Sequence, residues 1–125
     1  MNIKVSVLTK AISVAKKSNV IRGKVGAVIF TRSGRIVASA SNTVFYGHKN
    51  KWTIHAEDFA IRKCFSISSK VLRRLYPLYL LVVRYSKEYD TLAMARPCKK
   101  CEQIIRGLGI ITFYSDKDGT LKKLL

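Results

Sequence analysis

The sequence predicts a mixed α/β fold, one sheet covered by helices on both faces. Three observations carry this. Helical and extended patterns follow one another in the order α-β-β-α-β-α-β-β. The run Leu78 to Val83 is apolar on both faces, as a strand at the centre of a covered sheet must be. The turn chemistry at Asp116–Gly119 leaves no room for a crossover helix, so the last two strands are expected to be antiparallel neighbours.

Taken in order, Val5, Leu8, Ala11, Ile12 and Ala15 recur at helical spacing between Val5 and Lys17, with Lys10, Lys16 and Lys17 opposite. Asn19 and Gly23 fit the exit of that helix. Val25–Thr31 and Arg35–Ala40 read as a hairpin turning at Ser33-Gly34. A polar and aromatic loop is expected from Ser41 to Thr53. Ile54 to Phe65 is helical through Ala56, Phe59, Ala60 and Cys64, and Ser66–Ser69 breaks it. Val71–Tyr76 adds a short helical turn before Pro77, and Leu78–Tyr85 is the central strand. Pro97 opens a helix that reaches about Leu108, with Gly107 and Gly109 at its exit. Ile110–Tyr114 and Thr120–Leu125 are the remaining strands. No linker or repeat divides the chain, and 125 residues suit a single domain over 1–125.

No segment reads as a membrane span, and the N-terminus lacks the unbroken apolar stretch of a secretory signal, so the expected location is cytoplasmic. The charge is unusual: 24 Lys and Arg against 7 Asp and Glu, a net +17. Between Met1 and Ala56 stand ten basic residues and no acidic one. Such a surface repels itself and attracts polyanions, so a phosphate-bearing partner is expected, either a nucleotide or a polynucleotide.

Three cysteines cannot all pair in one chain, and Cys98-Lys99-Lys100-Cys101 has the spacing of metal or redox chemistry. A catalytic zinc needs three protein ligands and one open position. Cys98 and Cys101, three apart in the first turn of a helix, can turn both sulfurs to one ion, and the helix N-terminus with Arg96, Lys99 and Lys100 favours thiolates. His55 is the third candidate ligand, and Glu57 stands two residues on. Within an ideal helix that pair lies about 200° apart, so both can serve one site only at the helix start. His55 then binds the metal, while Glu57 stays off it and carries protons. A structural zinc clip is the other reading; it wants a fourth ligand, for which His48 is available and Cys64 is poorly placed.

His55-Ala56-Glu57 followed by Pro97-Cys98-Lys99-Lys100-Cys101, each opening a helix, is the signature of zinc deaminases. These segments resemble the zinc-binding motifs of the cytidine and deoxycytidylate deaminase superfamily. Ala11–Asn42, with Val25-Gly26-Ala27-Val28-Ile29, is similar to its first helix and hairpin, and Ile104–Ser115 to the helix and strand after the cysteines. The resemblance implies a three-layer α/β/α fold with a mixed five-stranded sheet in the order 2-1-3-4-5. It implies a Zn2+ cofactor, a pyrimidine nucleoside or nucleotide substrate and a homo-oligomer. It also implies that Asn42 binds the sugar and that Ala56 offers its backbone to the base.

Two cues point apart. A histidine as first ligand leans toward the nucleotide, tRNA and DNA branches. The short C-terminus and antiparallel last strands resemble the cytidine deaminase side. Beside the expected pocket, Tyr46 and Trp52 stand with Phe45 among His48, Lys49 and Lys51, a mixture that binds single-stranded nucleic acid or simply closes the pocket. The expected activity is therefore hydrolytic deamination of cytosine in cytidine, deoxycytidine or their nucleotides. The alternatives are a deaminase acting on cytosine, or secondarily adenine, in single-stranded DNA or RNA, and a basic nucleic-acid-binding module with a structural zinc.

Overall fold

The structure, a computed structural model, describes residues 2–124. Helix α1 (Val5–Lys16) is followed by strands β1 (Lys24–Thr31), β2 (Ile36–Ser41), β3 (Thr43–Tyr46) and β4 (Lys51–Ile54). Helices α2 (Ala56–Cys64) and α3 (Ser69–Leu75) lead to β5 (Leu78–Ser86) and β6 (Thr91–Ala93). Helix α4 (Lys99–Gly107), β7 (Ile111–Ser115) and β8 (Leu121–Lys123) complete the order. Of the last strand expected from the sequence, Leu125 lies outside the described residues.

The main sheet runs β2-β1-β5-β7-β8, and its strands alternate in what they present. Ala27 and Ile29 of β1 join Leu78, Leu80 and Val82 of β5 in a core shared with α2, α3 and α4. Val28 and Phe30 join Tyr79, Leu81 and Val83 in a second core under α1. Helices therefore cover both faces, as the doubly apolar β5 requires. Strands β7 and β8 are antiparallel neighbours, while β5 and β7 are parallel. Gly26 marks the tightest packing: a Cβ there would lie 2.3 Å from the Ala11 carbonyl oxygen, so α1 rests directly on the β1 backbone.

Several expectations need correction. The sheet has six strands, not five, because β6 folds back antiparallel on β5. Since β1 pairs with β5 along its whole length, β6 occupies the edge that β7 leaves free beyond Val82. The expected loop after Ser41 is mostly the hairpin β3–β4, with Phe45 opposite Trp52. Its β-branched and aromatic residues favour extended backbone, and the sequence conceals this behind the polar tip at Gly47–Asn50. In α1 the packed face is Val7, Ala11, Val14 and Ala15, whereas Val5 is exposed in the first turn. The short turn before Pro77 is a full helix starting earlier, at Ser69. Among the described residues no helix is long and apolar enough to cross a membrane.

Candidate active site

Two helix N-termini converge on one point. His55 is the N-cap of α2 and Cys98 the N-cap of α4, both with extended backbone and neither with its side chain spent on capping. Their carbonyls still accept the first helical bonds, from Phe59 at 3.0 Å and Glu102 at 2.8 Å. Because His55 stands outside the helix, the angular objection to sharing a site with Glu57 disappears. The expected placement of both cysteines inside the helix is likewise corrected: Pro97 and Cys98 precede α4, and only Cys101 lies in its first turn.

The Nδ1 atom of His55 is 3.7 Å from Cys98 Sγ and 3.5 Å from Cys101 Sγ. A tetrahedral zinc with Zn–S of about 2.3 Å and Zn–N of about 2.0–2.1 Å separates its N and S ligands by about 3.6 Å. The three ligand atoms lie within 4.8 Å of one another, so they fit zinc. Among the described residues no fourth His, Cys, Asp or Glu joins the group; His48 and Cys64 stay outside it. Cys64 is instead a fully buried core residue.

In the metal-free protein an opposing influence acts on Cys101. Burial pushes its thiol up to about 12, with the neighbouring Glu57 carboxylate acting in the same direction. Desolvation disfavours the charged thiolate. The thiol must therefore surrender a proton to bind a metal.

Beside the ligands lies a cavity of about 250 Å³ lined by Val25, Asn42, His55, Ala56, Glu57, Arg84, Met94, Ala95, Arg96 and Cys98. Glu57 is 6% exposed, and burial raises the pKa of its carboxyl despite its own backbone N–H and the nearby His55. Such a group both accepts and returns protons closer to neutral pH than an ordinary carboxylate. Ala56 is buried at the first position of α2, where the N–H has no intrahelical acceptor. Asn42 lines the cavity, yet most of its amide is engaged. Oδ1 accepts from the Val25 N–H at 2.9 Å and the Ser18 hydroxyl at 2.7 Å, and Nδ2 donates to the Gly23 carbonyl at 2.7 Å. One N–H remains.

Tyr46 and Trp52 are exposed on the hairpin, and neither lines the cavity. Trp52 stacks on Phe45 with ring centroids 5.8 Å apart, and Phe45 contacts Phe59 of α2. Lining residues that the sequence alone did not single out are Arg84, Met94 and Ala95, while Arg96 figured there only as a charge. Arg84 did leave a signal: it is the lone charge in β5. Arg96 is held by Glu102 at 3.0 Å, with its guanidinium 5.7 Å from the Tyr114 ring centroid.

A covered mixed sheet, a His-Cys-Cys metal group at two helix starts and a buried carboxyl off the metal define a zinc-binding domain of the deaminase class. The family model of the cytidine and deoxycytidylate deaminase zinc-binding region matches residues 1–115, and the chain belongs to that family. Among solved structures it is similar to a dCMP deaminase from the cyanophage S-TIM5 in apo form, with TM-score 0.66 and 23% identity over 90% of this chain and 81% of that one. A cytidine deaminase from Burkholderia pseudomallei gives TM-score 0.63 and 20% identity, over 95% of this chain and 89% of the other. A diaminohydroxyphosphoribosylaminopyrimidine deaminase/5-amino-6-(5-phosphoribosylamino)uracil reductase from Thermotoga maritima gives TM-score 0.58 and 27% identity, over 90% of this chain and 29% of that one. A search of curated protein sequences finds no match.

Proposed function

We propose that this chain hydrolyses cytosine to uracil and ammonia in cytidine, deoxycytidine or their nucleotides. The observation that carries the reading is the buried Glu57 carboxyl, off the metal group and facing the same cavity. A purely structural zinc has no use for it. His55, Cys98 and Cys101 would hold the zinc, which when bound supplies the Lewis acidity that makes water reactive near neutral pH.

The chain's own groups do the rest. The Glu57 carboxylate takes a proton from the attacking water and delivers it to the ring nitrogen of the base. It then passes the second proton to the departing amine, so that ammonia leaves and the carbonyl forms. The free N–H of Ala56 orients the base, and the remaining amide N–H of Asn42 reaches the sugar. A cavity of about 250 Å³ suits one base, being smaller than the roughly 300–1,000 Å³ of pockets for drug-sized ligands.

A second reading, action on cytosine within single-stranded DNA or RNA, draws support from the net charge of +17 and the exposed Tyr46 and Trp52. The test of both is direct. Zinc-loaded protein is incubated with cytidine, deoxycytidine, their monophosphates and single-stranded oligonucleotides, and the products are assayed for uracil and ammonia. Uracil from the free compounds supports the first reading; uracil from oligonucleotides alone replaces it with the second. No uracil from any of them rejects both.

A further inference from the structure

The base cavity opens beside a second, larger one of about 820 Å³, and Arg84 lines both. The second is strongly cationic, walled by Arg22, Lys24, Arg84 and Lys87 against one carboxylate, Glu88. Among the described residues none of those four cations forms an ion pair. Lys24 donates to the Ser18 carbonyl, and Asp90, the other acid of the β5–β6 turn, accepts from the Tyr85 hydroxyl at 2.7 Å.

Arg84 is also built in. Its backbone N–H donates to Ser115 Oγ at 3.1 Å, which fixes where its side chain leaves the sheet. Its guanidinium lies against Gly23, where φ is +72° and an added Cβ would come within 3.2 Å of Nη2. The positive φ favours glycine at this turn. The second arginine on the base cavity, Arg96, is already bound by Glu102. Arg84 is thus the cation there left without an acidic partner.

We propose that this second cavity receives the phosphate ester of the target nucleotide, with Arg84 bridging from base pocket to phosphate. The proposal rests on the cytosine reading above and narrows it to phosphorylated substrates. A guanidinium matches phosphate oxygens with two parallel N–H donors, and Arg22 and Lys87 supply further charge. A free nucleotide presents a monoester; a strand presents a diester with the same oxygens.

The test compares kcat/KM for cytidine, cytidine monophosphate and a single-cytosine oligonucleotide, in wild type and in Arg22→Gln/Lys87→Gln. Phosphorylation should raise kcat/KM at least about tenfold in wild type, the factor that one charge-assisted hydrogen bond supplies. In the double variant that advantage should shrink, mainly through KM. If the strand is the source, its affinity should fall with salt, and the double variant should flatten the log–log slope by about 0.7 for each lost phosphate contact. Equal kcat/KM for cytidine and its monophosphate, with an oligonucleotide affinity indifferent to the double variant, overturns the proposal and leaves the deaminase reading standing. If no compound yields uracil, that reading fails instead, and inorganic pyrophosphate decides the cavity. A saturable shift of the Gly23 amide in NMR spectra, lost in the double variant, upholds an anion site there; its absence overturns it.

Discussion

Asn42 donates its side-chain amide to the carbonyl of Gly23 at 2.7 Å, so one residue of the cavity wall also holds the turn on which Arg84 rests. The same amide caps the start of β1 by accepting from Val25 at 2.9 Å and anchors the end of α1 through Ser18. Three segments meet on this side chain before any substrate arrives. Asn42→Ala leaves the Val25 N–H without its acceptor and the Gly23 carbonyl without its donor, while the Ser18 hydroxyl keeps the Asn42 backbone carbonyl at 2.6 Å, and the change should destabilise the fold by about 1–3 kcal/mol. Urea unfolding measures this. Asn42→Asp restores the acceptor but not the donor, so it should recover part of the loss while KM stays raised.

Ser115 is fully buried and spans the gap where β7 ends and β6 begins. Its Oγ accepts from Arg84 at 3.1 Å and donates to the Ala93 carbonyl at 2.6 Å. Ser115→Ala strands both groups, again at a cost of about 1–3 kcal/mol. Hydrogen exchange should rise at the Arg84 amide before it rises at Leu80 or Leu81 in the middle of β5. Unchanged protection at Arg84 would contradict this account of the wall.

Zinc should bind once per chain, and Cys98→Ser and Cys101→Ser should each abolish stoichiometric binding, whereas Cys64→Ala should retain it at some cost in core packing. Metal analysis of the purified variants decides. The pH dependence has a defined sign. The Cys101 thiol, pushed up to about 12, is protonated at neutral pH in the metal-free protein and must release that proton on binding. Affinity should therefore rise with pH by about tenfold per unit for this one group.

Most of this site was legible because its residue types are chemically restrictive. Few combinations besides His55, Cys98 and Cys101 could hold zinc in this chain, and Glu57 needed only to be near. The helix starts were harder. Pro97 appeared to open α4, yet what the site needs is Cys98 as an N-cap, a distinction of one residue that only backbone angles reveal. Strand β6 was invisible because three residues carry no periodicity, and it exists because the edge of β5 beyond β7 would otherwise lack partners. Arg84 was passed over for the opposite reason: a lone charge in an apolar strand looks like a strand end until the second cavity appears beside it.

Trp52 stacks on Phe45, which packs on Phe59, and none of the three lines the base cavity. Trp52→Ala should therefore loosen the β3–β4 hairpin by about 0.5–1.5 kcal/mol beyond its lost burial, the worth of an aromatic pair. KM for a free nucleotide should stay as in wild type. A large rise in that KM would bring the ring into the substrate site, while weakened binding of oligonucleotides alone would make it a stacking platform.

Glu57→Gln separates catalysis from structure most sharply. Gln keeps the size of the side chain and cannot carry the proton, so kcat should fall by about 10²–10⁴-fold or more while zinc content is retained. Stability of the metal-free protein should move the other way. Burial raises the Glu57 pKa above its usual 4.5, so the folded state keeps a proton that the unfolded chain has lost. Its contribution is fully present below pH 4.5 and is lost as pH rises from there to the raised value in the fold. The slope across that window is at most about 1.4 kcal/mol per pH unit. The Gln variant lacks this titration. At neutral pH, metal-free Glu57→Gln should therefore resist urea better than wild type, and the difference should vanish in acid. A variant that is less stable at both pH values would show that the carboxyl is held by a partner and not merely buried.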